Sequence, residues 1–396
     1  MNFAPERGRA LPAWLPLLGI VLVAANLRPV ITAVGPVLPS VGADTGLSPS
    51  ALGILAAVPV VAFGAVSPVV ATLGRRFGIE RTVAGALVLL AVGTVVRSLP
   101  GSAAPLWLGT ALIGAAIAVG NVLLPAVVKK DFPLRLTTVT AVYIAIQSVF
   151  AATASGVAVP VAQAGTWRVA LGAWAVLVVV ALAVWLPRLR GGRGVTTAAG
   201  RARTGGAPVW RAGLAWEVAV YMGLQSTVFY VLVNWLPTLE QDLGVGAAAA
   251  GWHLFLYQVA AIFSNLATPA LMRVGPDQRV ASLLMPTLML AGMLGLVLAP
   301  GLVQVWVAVV GLGSGGSFVV ALSLVGLRAA DPGTASRLSS MAQTVGYLGA
   351  AVGLVLAGVL RDLTGPGPLL LVALTAVVSG QLLVGWRVGR SRVLQA

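Results

Sequence analysis

Arg28 stands near the middle of an apolar run, Trp14 to Val37, where insertion scales put a charged residue at roughly 2.5–3.5 kcal/mol. Its guanidinium must therefore face a wet cavity or a polar partner. The planar fork of donors, charged at any working pH, suits a carboxylate or another oxyanion. The alternative is a structural arginine satisfied by helix carbonyls, or one that snorkels outward. Pro29 and Pro36 in the same run fit a locally unwound helix whose backbone is exposed to a cavity. Uncharged polar and aromatic groups recur near the centres of other apolar runs: Asn26, Tyr143, Gln147, Gln225, Tyr230, Tyr257, Gln258, Asn265, Gln343 and Tyr347. Such amides and phenols bind a solute or hold helices together. Those expected to contact solute with Arg28 are Asn26, Gln147, Gln225, Tyr257, Gln258, Gln343 and Tyr347. Phe318 joins them as an aromatic wall beside Gly313, Gly315 and Gly316, although close helix packing explains those glycines equally well.

Of ten acidic residues, only Glu217 is expected inside a helix, one turn or so from its start. It suits proton transfer or an ion pair with Arg211. His253, the single histidine, is expected near the outer end of its helix, as a gate, a surface group or a pH-sensitive group. These two are the candidates for coupling to an ion. With no cysteine, disulfides and thiolate metal sites are excluded. One histidine gives no basis for a histidine metal centre or a catalytic triad. No phosphate-cradling Gly-x-x-x-x-Gly-Lys-Ser/Thr loop occurs, so ATP is not expected to drive this chain, and no cofactor or metal is expected.

The elements that must position these residues are membrane helices. Only 9% of the 396 residues are charged and 59% are hydrophobic, too little charge to cover a soluble fold of this size. Apolar stretches of about 20 residues, long enough to cross about 30 Å of hydrocarbon, recur twelve times. The six in the second half begin with Ala212 to Trp235 and Ala248 to Met272. An all-α integral membrane fold follows, with 1–187 as one six-helix bundle, 188–211 as a linker and 212–396 as the second. Leu38-Pro39, Asp44, Gly46 and Gly53 recur as Leu236-Pro237, Asp242, Gly244 and Gly251. The constant offset of 198 is half of the 396-residue length, the mark of an internal duplication. Two parallel six-helix repeats place a solute site at the midplane between them.

Twelve crossings put both termini on one side. Arg97, Arg168 and Arg361 are expected in outer loops and Arg28 in the membrane, leaving 21 of the 25 Lys and Arg on the terminus side. The positive-inside rule makes that side the cytoplasm. The charge of +15 is then a topology signal, not a nucleic-acid surface. The basic N-terminus runs into a long apolar helix with no evident cleavage site, and the expected location is the plasma or inner membrane.

Several blocks make the chain resemble the cyanate permease and 2-nitroimidazole transporter branch of the major facilitator superfamily. They are Asn26-Leu27-Arg28-Pro29, Gly120-Asn121 through Pro125, Lys130-Asp131-Phe132-Pro133, Gln225-Ser226 with Phe229-Tyr230, Gly313 to Phe318, Gly326-Leu327-Arg328, and Gln343 with Tyr347. The resemblance implies twelve helices in two pseudo-symmetric bundles, alternating access, and substrates from cyanate-like anions to neutral nitroaromatics. It also implies that helices 5, 7 and 11, which carry Gln147, Gln225 and Gln343, line the cavity. One departure stands out: the loop between helices 2 and 3 carries Arg75, Arg76, Gly78 and Arg81 without the usual acidic residue. The reading is a secondary transporter of a small anionic or strongly polar solute, acting as a monomer. Its alternative is an exporter of neutral aromatic compounds. A membrane enzyme would need paired titrating or metal-binding groups inside the membrane, and a receptor would carry a soluble signalling domain.

Overall fold

The computed structural model describes residues 14–190 and 209–394. The central part of the expected linker, 191–208, and the basic residues before Trp14 lie outside the described residues. Among the described residues, twelve segments are long and apolar enough to cross a membrane. The first crossing is in three pieces: α1 (Trp14–Asn26), α2 (Pro29–Thr32) and α3 (Val34–Thr45). The first half continues with α4 (Pro49–Phe77), α5 (Ile79–Arg97), α6 (Ala104–Asp131), α7 (Leu136–Ala164), α8 (Trp167–Gly172) and α9 (Trp174–Trp185). The second half comprises α10 (Gly213–Asp242), α11 (Ala247–Leu271), α12 (Arg279–Leu298), α13 (Val303–Leu327), α14 (Pro332–Thr364) and α15 (Leu369–Val388).

Local chemistry marks many of the helix boundaries. The Ser48 hydroxyl accepts the Ala51 N–H ahead of Pro49, and the Asp331 carboxylate accepts the Gly333 and Thr334 N–H groups ahead of Pro332. Both are side-chain caps followed by a proline whose missing N–H costs nothing there. The repeat is visible in the backbone: Gly46 and its counterpart Gly244 both have positive φ, 68° and 87°, just past the ends of α3 and α10. The Leu-Pro pairs do not end helices, as the sequence suggested. Pro39 lies inside α3 and Pro237 inside α10, because one lost backbone bond is tolerated where neighbouring helices hold the chain.

Both halves pair the aspartate that follows the Leu-Pro. Asp44 accepts from Arg168 Nη1 at 2.6 Å and Trp167 Nε1 at 3.1 Å; Asp242 receives both Arg361 nitrogens at 2.5 and 2.8 Å. Asp44 lies at the exposed end of α3, clear of the membrane. The Arg168 and Trp167 bonds hold its carboxyl below the usual carboxylate range. A depressed folded-state value stabilises at neutral pH, and that stabilisation disappears as pH falls through it. Asp44→Asn is expected to melt below wild type at neutral pH and to converge with it below about pH 3, as read by thermal unfolding.

At the end carrying Asp44 and Asp242 the two halves meet backbone to backbone. A Cβ on Gly53 of α4 would come within 2.5 Å of Leu354 O on α14. One on Gly156 of α7 would meet the Trp252 ring of α11 at 2.8 Å. Ser50 N donates to Asp362 Oδ2 across the same seam at 2.9 Å. This is the closed end; the opposite, basic end carries Arg75, Arg76, Lys129 and Lys130. Gly53→Leu is expected to hold the closed end apart and lower transport about tenfold or more, the scale of an overpacked contact. Because the chain lacks cysteine, a thiol reagent acting on Ser50→Cys reads the opening directly.

At the basic end, the acid absent from the α4–α5 loop is supplied one residue into α5. Glu80 pairs with Lys130, and Asp131 pairs with Arg188, while Trp185 Nε1 donates to Glu80 O at 3.0 Å. Glu217 pairs with Arg392 and not with the expected Arg211, because the segment after α15 folds back under α10.

Candidate functional site

The first crossing breaks at Leu27 and Arg28, between Asn26 and Pro29. A proline lacks the N–H that would continue α1 and disfavours helical geometry in the residue before it. Arg28 carries φ −112° and ψ −41° as the residue ahead of α2, and its carbonyl takes up Ile31 N, Thr32 N and Thr32 Oγ1. The interruption expected from Pro29 is present over Leu27 and Arg28, although Arg28 keeps a right-handed helical ψ. Its side chain is half-buried. None of the seven ion pairs among the described residues includes it.

Facing this break is a chain of rings drawn from both halves. Phe63, at the centre of α4, meets Tyr347, at the centre of α14, edge to face with centroids 5.9 Å apart. Tyr347 lies 6.5 Å from Tyr230 of α10, which stacks edge-on with Phe229 at 5.2 Å. Phe229 lies 6.5 Å from Tyr257 of α11. These are the edge-to-face and tilted distances at which aromatic pairs add to burial. All these residues lie near the midpoints of their helices, so a cation and several ring edges share one depth.

The other sequence candidates divide by what already satisfies them. Asn26 is buried, its amide donating to Leu22 O at 2.8 Å and Leu177 O at 3.3 Å, a tie from α1 to α9. Tyr257 is buried and donates to Ser314 Oγ at 2.7 Å. Gln258 reaches across the halves to Ala151 O at 3.2 Å and Ser155 Oγ at 2.6 Å, and Gln225 donates to Ser226 Oγ at 2.8 Å. The Asn26, Tyr257 and Gln258 bonds join helices, whereas the Gln225 bond stays within α10. Gln147 and Gln343 are half-buried, and Gln343 donates to Ser339 Oγ at 2.9 Å. Phe318 is 38% exposed, while its glycine neighbours serve packing: a Cβ on Gly313 would sit 2.6 Å from Met285 O.

Three charged residues lie deeper than their sequence positions implied. Glu240, expected in a loop beyond Trp235, is in the last turns of α10 with 0% exposure, because α10 continues past Pro237. Its Oε2 is 2.6 Å from Nδ1 of His253, which is buried on α11. So the histidine expected as a gate or surface group has a buried acid as partner, and Glu217 is not the only acid inside a helix. Arg97, expected in an outer loop, ends α5 fully enclosed. Phe63 and Arg97 carried no sequence signal, since a phenylalanine in an apolar run and an arginine before Ser98-Leu99-Pro100 look ordinary.

The profile of the Major Facilitator Superfamily matches residues 20–354. The 2-nitroimidazole transporter of Escherichia coli (strain K12) is 37% identical over 349 residues, 88% of each chain. The cyanate transport protein CynX of the same strain is 31% identical over 353 residues, 88% of this chain and 90% of that one. Among solved structures, that of the nucleoside transporter NupG superposes with a TM-score of 0.75 at 10% identity, covering 95% of this chain and all of the other. That last likeness is one of fold.

Proposed function

We propose that this chain, which belongs to the Major Facilitator Superfamily and is a multi-pass transporter of the cell membrane, carries a small planar anion past Arg28. Membership in the superfamily makes a small-molecule substrate and a lipid surround plain; the anion is our reading. The observation that carries it is a half-buried arginine at the break in the first crossing, with no acidic partner among the described residues. A desolvated cation lacking a counter-charge attracts one, and guanidinium geometry favours planar oxyanions. The two half-buried amides, Gln147 and Gln343, are the candidates for fixing orientation, and Tyr347 supplies a ring edge. Asn26, Tyr257 and Gln258, whose donors tie helices together, and Gln225, bonded within α10, are then scaffold, and Phe318 lies at the margin.

The ring cluster supports a second reading, in which a neutral aromatic compound is exported and Arg28 is structural. The relative named for 2-nitroimidazole favours it, whereas the relative named for cyanate favours the anion. Thermal-shift binding of purified protein to a panel of small anions and neutral nitroaromatics separates them. Stabilisation by anions that is lost in Arg28→Gln supports the first; stabilisation by neutral rings that survives the substitution supports the second.

Alternating access between the six-helix bundles, with 188–211 as their connection, is the working cycle we infer. The basic end is then cytoplasmic, both termini lie on that side, and one copy is the transporting unit. The His253–Glu240 pair is the candidate coupling group. Glu217, tied to Arg392 at the basic end, is the weaker one.

A further inference from the structure

Arg97 is 2% exposed, yet only one of its nitrogens has a protein acceptor. Nη1 donates to Val30 O at 2.6 Å, whereas Nε and Nη2 have none among the described residues. No acidic residue pairs with it among those residues. Arginine does not shed its proton to escape burial, and an ion taken out of water without a partner is strongly disfavoured. Arg97 lines a small, partly enclosed cavity of about 20 Å³ together with Thr110 of α6, Asn234 of α10 and apolar groups including Val34 and Pro59. That space admits about one water molecule or an ion of similar size.

The polar lining favours an anion. Asn234 Nδ2 spends one hydrogen on Tyr230 O at 2.9 Å, leaving its second to donate. The Thr110 hydroxyl gives its hydrogen to Leu106 O at 2.7 Å and adds no donor. A cavity offering spare N–H groups and a full positive charge, with no carboxylate, is chemically complementary to a halide.

We propose that this cavity is a binding site for one halide-sized inorganic anion, held by Arg97 from the first half and Asn234 from the second. Neither Arg28 nor Tyr347 lines this cavity, so the site is separate from the central one. Because its donors come from both halves, a bound anion ties the closed end shut, and bulk chloride acts on the gate without being cargo.

The test is thermal unfolding of the full chain in chloride against gluconate at constant ionic strength. Wild type and Arg28→Gln are expected to melt a few degrees higher in chloride, saturably, and Arg97→Gln to show no such difference. Bromide located by anomalous scattering in wild-type crystals is expected beside Arg97, a readout that stands even if Arg97→Gln fails to fold. Equal melting of wild type in the two salts overturns the proposal. So does a chloride effect that survives Arg97→Gln or vanishes in Arg28→Gln, and so does bromide found beside Arg28 alone.

Discussion

Arg28→Gln is expected to weaken binding of the transported anion by about 10- to 150-fold, the range that a charge-assisted hydrogen bond of about 1.5–3 kcal/mol implies. Glutamine keeps a planar donor and much of the length but removes the charge, so the loss reports electrostatics and not shape. Arg28→Lys keeps the charge and loses the fork, and a planar oxyanion is expected to bind it at an intermediate affinity. Folding is not at risk by the same measure, because the Arg28 carbonyl and not its side chain closes the turn into α2. Uptake into proteoliposomes together with thermal-shift titration measures the effect. Anion affinity unchanged in both variants, in protein that stays folded, removes Arg28 from the solute site.

The second large effect concerns energy. Glu240 and His253 form a buried pair 2.6 Å apart, and Glu240 Oε1 has no other partner. The pair is neutral overall whether its shared proton sits on the acid or the imidazole, so gaining or losing one further proton changes the charge at a site burial keeps from water. At the same end Asp242 pairs with Arg361 and Asp44 with Arg168, whereas Arg97 and Asp362 have no ion-pair partner among the described residues. Coupling to one proton permits about tenfold accumulation per pH unit. Glu240→Gln is expected to abolish accumulation driven by an imposed pH gradient while leaving solute exchange across a gradient-free membrane. His253→Gln is expected to act in the same direction. A Glu240→Gln protein that still accumulates solute in step with the gradient excludes this pair from coupling.

Twelve crossings, two halves and the break at Arg28 could be read from residue types because bilayer thickness, duplication and proline leave periodic or local marks. Partnering left none. Asn26, Gln258 and Tyr257 read as solute ligands until Leu177 O, Ser155 Oγ and Ser314 Oγ accounted for their donors, and each of those acceptors is at least 57 residues away in the chain. Leu236-Pro237 looks like a terminus that leaves Glu240 in a loop, yet α10 carries it about one and a half turns past Trp235 into protein. Arg97 has the flanks of a loop residue. Its burial follows from α6 packing across the end of α5: a Cβ on Gly93 would meet Ile113 N at 3.0 Å, so small residues let the two helices approach and enclose the guanidinium.

The two aspartate clasps share a plan but not a strength. Asp44 is half open to solvent and takes one bond each from Arg168 and Trp167, with the Arg168 guanidinium 4.3 Å from the Trp167 ring; Asp242 is nearly enclosed and takes two from Arg361, whose guanidinium is 5.9 Å from the Trp235 ring. Arg361 is not at the 198-residue counterpart of Arg168, so the second clasp was drawn from a different turn of the chain after duplication. Each clasp lies within one half, Asp44 tying α3 to α8 and Asp242 tying α10 to α14. Each therefore braces its own bundle, and neither is a bond that parting of the halves has to break.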